Sequence, residues 1–102
     1  MVYGSFDVLR VEDIELFKKA KTVGNYLVVV LVGDELENCS WGEIHRQVVL
    51  ESIRYVDEVF IINADSDLKE VIQKNELGIF VTQKDKTNSI EYFNEFCQVV
   101  YV

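Results

Sequence analysis

The 102-residue sequence predicts an α/β fold. It should be one doubly wound, parallel, five-stranded sheet with helices on both faces, a single domain over residues 1–102. Three observations predict it. Strand-like and helix-like apolar patterns alternate along the chain as β-α-β-α-β-α-β-α-β, which calls for parallel strands joined by crossover helices. Tyr26 to Val32 is seven apolar residues in a row, suited to a strand covered on both faces. Tyr3 to Ile14 reads as a strand end, a tight glycine turn and a helix start, a place where such sheets hold phosphates.

The elements follow in order. Met1 to Ser5 is a short first strand. Glu12 to Thr22 is a helix with Ile14, Phe17 and Lys21 on one stripe and Leu16 and Ala20 beside it. Gly24 is expected to stop it in the left-handed conformation. Tyr26 to Val32 is the second strand. Ser40-Trp41-Gly42-Glu43 fits a capping box. The helix it opens should run to about Tyr55 with Ile44, Val48, Val49, Ile53 and Val56 inward. Glu58 to Ile62 is the third strand. Asp67 with Glu70 starts a helix carrying Leu68, Val71 and Ile72. Gly78 to Thr82 is the fourth strand, Asn88 with Glu91 starts a helix carrying Ile90, Phe93 and Phe96, and Gln98 to Tyr101 is the fifth strand.

Composition narrows the function. A net charge of −8 with scattered basic residues disfavours DNA or RNA as partner, because phosphate neutralisation needs a basic face. No apolar run approaches the roughly 18 residues of a membrane span, so no membrane insertion is expected. No basic, apolar and cleavage regions of a secretory signal follow Met1, and a cytoplasmic protein is expected. Cys39 and Cys97 form no CxxC and read as buried free thiols of a reducing compartment. His45, the lone histidine, has no paired ligand spacing around it, and no metal site is expected.

Gly4-Ser5-Phe6-Asp7 resembles the first motif, G-[ST]-F-D-x-x-H-x-G-H, of the glycerol-3-phosphate cytidylyltransferase family within the cytidylyltransferase-like nucleotidyltransferases. Ala20-Lys21 with Gly24 to Val30, Gly33-Asp34-Glu35, Arg46 with Leu50 to Val59, Ile79-Phe80-Val81 and Cys97 to Tyr101 resemble further family segments, in register over nearly the whole chain. The resemblance implies a Rossmann-like sheet of order 3-2-1-4-5, with the site at the carboxyl ends of the strands beside the first.

The same comparison implies a scaffold whose chemistry has been edited. The H-x-G-H positions hold Arg10-Val11-Glu12-Asp13. In the family the histidines and the adjoining helix terminus stabilise charge on the attacked phosphorus. Here carboxylates stand there, and one like-charge contact at about 4 Å costs roughly 4 kcal/mol at an effective dielectric near 20. The plainer reading of Glu12 and Asp13 is capping of the helix start; the alternative is an acidic pair holding Mg²⁺ with a nucleotide. The family's lysine loop after the second strand has no lysine counterpart in Glu35 to Gly42, and its R-T-x-G-I-S-T-T motif has none before Val102. Lys84-Asp85-Lys86 replaces a G-D-D-W stretch.

By resemblance, Gly4, Ser5, Phe6, Arg10, Asp13 and Arg46 are the candidate nucleotide-binding residues, Asp7 and Asp34 the candidate substrate-binding residues, and Arg10 and Arg46 the candidate catalytic cations. Arg46 could equally pair with Glu43 on the helix surface, and Asp7 could close its turn by accepting backbone amides. Trp41 reads as packing or interface rather than a base-stacking platform. The expected function is a catalytically impaired domain that binds CTP or another nucleotide as a remnant, or a dimerising scaffold, with a homodimer as the expected assembly. The alternative is an active transferase moving CMP from CTP, with Mg²⁺, to a phosphorylated polyol such as glycerol 3-phosphate.

Overall fold

The computed structural model describes residues 1–82 and 95–102. The elements are β1 (Val2–Gly4), α1 (Val11–Val23), β2 (Val28–Val32), α2 (Glu43–Glu51), β3 (Glu58–Ile62), α3 (Asp65–Lys74), β4 (Ile79–Thr82) and β5 (Gln98–Tyr101). The helix expected from Asn88 and the Lys84-Asp85-Lys86 stretch lie outside the described residues.

All paired strands are parallel. β2 lies between β1 and β3, with Tyr3 beside Val30 and Val30 beside Phe60. β4 pairs with β5, Phe80 beside Val99. The ladders give a three-stranded sheet, β1-β2-β3, and a two-stranded sheet, β4-β5, where one five-stranded sheet of order 3-2-1-4-5 was expected; β1 and β4 meet edge to edge. There the Val81 N–H donates to the Met1 carbonyl at 2.9 Å, and the Met1 amino group donates to the Ile79 carbonyl at 2.6 Å.

β2 is buried along its whole length, so its alternate side chains feed two cores. Val29 and Leu31 join Val2, Leu16, Phe17, Ala20 and Leu50 on the α1/α2 face. Val28 and Val30 join Met1, Ile62, Leu68, Ile72 and Phe80 on the α3 face. α1 turns Leu16, Phe17 and Ala20 inward, while Ile14 is only partly buried.

Four expectations change. α2 ends at Glu51, and its buried residues are Arg46 and Leu50; Ile44 and Val48 are 62% and 60% exposed, and Val49 also faces out. Arg46 can occupy the inner face because carbonyl groups meet its guanidinium there. The N-cap of α2 is Gly42, without a side-chain bond, so the Ser40 box does not form. Gly24 ends α1 in extended backbone at φ −130°, not in the left-handed region. Cys39 is half-buried rather than buried, while Cys97 is buried.

Candidate functional site

The carboxyl ends of β1 and β2 bring Ser5, Asp7, Asp34 and Arg46 together. The turn after Gly4 is held by Phe6, whose backbone takes φ +45°, a region that L-residues seldom adopt. Its ring passes over Gly4, where a Cβ would lie 3.2 Å from the ring carbons. It then meets Phe17 edge to face, centroids 5.3 Å apart. A glycine before the bend and an aromatic anchor under it set the direction in which Asp7 leaves the strand.

Asp7 crosses to the other loop. Its Oδ2 accepts the Ser40 N–H at 2.8 Å and its Oδ1 accepts the Trp41 N–H at 2.9 Å. Asp7 therefore closes the loop between β2 and α2 rather than its own turn. The two amides, with the positive charge of Arg46 beyond them, hold its carboxyl below the usual 3.8. Burial pushes the nearby Cys39 thiol up, with Asp7, Glu37 and Asp34 adding to the rise and Arg46 opposing it.

Arg46 is 2% exposed, and its donors are committed inward. Nε donates to the Trp41 carbonyl at 2.8 Å, and Nη1 donates to the carbonyls of Ser5 at 2.9 Å and Val32 at 2.6 Å. Nη2 meets Asp34 Oδ1 at 2.9 Å. Arg46 is thus no surface residue, and its ionic partner is Asp34, not Glu43. It ties the end of β1, the end of β2 and the entry to α2 into one knot. Asp34 has a second duty: its Oδ2 accepts the Glu43 N–H at 3.2 Å, while Glu43 Oε1 accepts the Asp34 N–H at 3.0 Å. This reciprocal pair caps α2 from nine residues upstream, the role expected of Ser40.

The α1 start is settled locally. Arg10 is its N-cap, and the Arg10 N–H donates to Asp13 Oδ2 at 3.0 Å. An acidic side chain in the first turn caps the free amide and complements the helix dipole. Glu12 and Arg10 project into solvent. Among the described residues no three His, Cys, Asp or Glu residues are placed to hold a metal ion.

Two features escape pattern reading. Trp41 and His45 stack at 4.4 Å and 15° along a cleft of about 200 Å³ whose walls include Phe6, Leu9 and Val49. Ligand pockets usually hold about 300–1,000 Å³. Asn63, directly after β3, arches over Gly33 and accepts the Glu35 N–H at 3.1 Å. The i, i+4 spacing of Trp41 and His45 was the available signal for the first; the second joins segments that sequence separation hides.

Residues 1–100 match the family model described as cytidylyltransferase-like. The chain is 34% identical to a glycerol-3-phosphate cytidylyltransferase of Bacillus subtilis (strain 168), over all of this chain and 83% of that protein. It is 31% identical to an FAD synthase of Thermococcus kodakarensis, over 93% of this chain and 68% of that one. A solved structure, the lipopolysaccharide core biosynthesis protein from Thermoplasma volcanium GSS1, superposes with TM-score 0.84 at 22% identity, covering all of this chain and 93% of that one; this likeness speaks to the fold, a Rossmann-like α/β sheet. With its glycine turn, its parallel sheet and a match that runs almost from end to end, the chain belongs to the cytidylyltransferase-like family.

Proposed function

We propose that this chain is a cytidylyltransferase-like domain that no longer transfers cytidylyl groups and works as a dimerising scaffold. One observation carries the loss of chemistry: where the family motif has histidines at the helix start, the Asp13 carboxylate occupies the Arg10 amide. A triphosphate placed there would meet a carboxylate already bonded to the donor it needs, with Glu12 beside it. Asp7, Asp13 and Asp34 each already accept a backbone N–H group, which leaves them fewer oxygen sites for Mg²⁺ with CTP and supports the scaffold over the nucleotide-bound reading.

The scaffold half rests on α2. Ile44 and Val48 lie exposed at i, i+4, with Trp41 52% exposed one turn earlier. Together they make an apolar stripe that a second copy of the same helix can cover, since two-fold packing sets one patch against itself.

The competing reading is an active transferase that makes a CDP-polyol from CTP and glycerol 3-phosphate. It is favoured by 34% identity with an enzyme of that name along the whole chain. The purified chain is assayed for pyrophosphate release with CTP, Mg²⁺ and glycerol 3-phosphate, and its mass is measured by sedimentation equilibrium. No release together with a dimer supports the scaffold; sustained turnover overturns it.

A further inference from the structure

We infer that the outer edge of β3, with the groove it forms against α3, docks an extended basic segment of a partner protein as an added strand. β3 ends the three-stranded ladder β1-β2-β3, and no described strand pairs with its outer side. Its hydrogen-bonding phase is fixed from both ends. The Glu58 N–H donates to the Leu27 carbonyl at 3.3 Å, and the Ile62 carbonyl accepts the Gly33 N–H at 2.7 Å. Backbone groups alternate in direction along a strand, so Glu58, Phe60 and Ile62 face β2. Val59 and Ile61 therefore turn their N–H and C=O groups to the open side. Such a row is a template for another strand.

The groove beside this edge sets the chemistry of the added strand. It holds about 370 Å³, within the range usual for ligand sites. Its floor is Phe60 and Val71, both half-buried against the core on the α3 face. Its rim carries Glu58, Asp67 and Glu70 against one cation, Lys74. Glu58 accepts the Tyr26 hydroxyl at 3.1 Å and Asp67 Oδ2 accepts the Asn63 N–H at 3.4 Å, while Glu70 stands exposed. Three carboxylates around an apolar floor select Lys or Arg side chains flanking an apolar one. Alternate residues of a strand share a face, so each basic residue lies two positions from the apolar one. A second copy of this chain is a poor occupant, because it brings the same acidic rim and a net charge of −8 to the contact. The groove belongs to the α3 face of the sheet and the apolar stripe to α2 on the other, so the inference goes beyond the scaffold reading and holds without it.

The probe is the capped heptapeptide Thr-Lys-Thr-Val-Thr-Lys-Thr, titrated into the full chain at low ionic strength and followed by amide resonances. Saturable movement of the Val59 and Ile61 amides is expected, larger than that of Phe60 and Ile62, whose amides face β2. Glu70→Lys, at an exposed position, should weaken the peptide about fivefold. A peptide with Glu in place of Lys should not bind. Unmoved Val59 and Ile61 amides overturn the inference, as does equal binding of the acidic peptide or equal affinity in Glu70→Lys. Movement of the same amides with protein concentration alone assigns the edge to a second copy and overturns it too. Pairing through α2 is read separately, by sedimentation of the chain without peptide, so either reading can fail alone.

Discussion

Asn63 sits so tightly over Gly33 that a Cβ on Gly33 would lie 2.1 Å from Asn63 Oδ1. The contact joins the ends of β2 and β3, where the Gly33 N–H also donates to the Ile62 carbonyl at 2.7 Å. Gly33 is needed for closeness, not for an unusual backbone angle. Gly33→Ala must push the Asn63 side chain aside and break its bond to the Glu35 N–H. The expected cost is about 1–3 kcal/mol in urea unfolding. Gly33→Ala with Asn63→Ala should cost less than the two single changes added together. Strict additivity would show that the two residues do not meet.

Arg46 should behave as a structural residue. Arg46→Met strips three carbonyls of their donor, and with about 1 kcal/mol or more for each unsatisfied buried group the loss reaches about 3 kcal/mol. In a domain of this size that lowers Tm by more than about 10 °C. Asp34→Asn removes the charge from a partner whose side chain is 51% exposed but leaves an amide oxygen to accept from Arg46, so about 1–3 kcal/mol is expected. A Tm for Arg46→Met within a few degrees of wild type would sink this assignment.

Acid should weaken the fold through two aspartates. Asp7 is held below the usual value by the Ser40 and Trp41 amides. Asp57 is held below it by the Lys21 ammonium and the Leu27 N–H, and Lys21 also forms an ion pair with it. Each carboxyl titrates lower in the folded chain than the ordinary 3.8. Their contributions are therefore complete above that value and fade as pH falls through the lower folded value. Urea midpoints should drop between about pH 5 and pH 2, and the drop should flatten in Asp7→Asn with Asp57→Asn. An equally steep drop in the double variant would assign acid sensitivity to other groups.

Self-association should depend on the α2 stripe. Ile44→Asp with Val48→Asp puts charge on two side chains already more than half exposed. Tm of the isolated chain should move by no more than the equivalent of about 0.5 kcal/mol per site, while the sedimenting species becomes a monomer. A dimer that survives both changes must use another face.

The sequence made the sheet legible where burial is symmetrical. The apolar run ending at Val32 and the strands Glu58–Ile62 and Gln98–Tyr101 need only local composition to be read. The phase of α2 was not legible. Apolar periodicity puts Ile44 and Val48 inside, yet Arg46 is inside because the Ser5, Val32 and Trp41 carbonyls converge on it. No count of hydrophobic residues registers carbonyl oxygens from other segments. Capping misled for a related reason: Ser40 stands at the right spacing before Glu43, but Asp34 reaches the Glu43 amide from the end of β2. At the site, the resemblance pointed to Asp7, Asp34 and Arg46 as one neighbourhood, and they are neighbours. What they bond to is set by loop geometry and had to be seen.

The ladders also divide the molecule into two leaves, β1-β2-β3 and β4-β5. The two leaves meet where Met1 bonds to Ile79 and Val81. Native proteins open in cooperative units that follow such motifs. β2 is buried along its whole length, whereas β5 has no fully buried residue. Heat or denaturant should therefore part the protein like a book: the leaf of β4 and β5 would exchange its amide hydrogens early, and the leaf around β2 would hold its hydrogens until the whole chain unfolds.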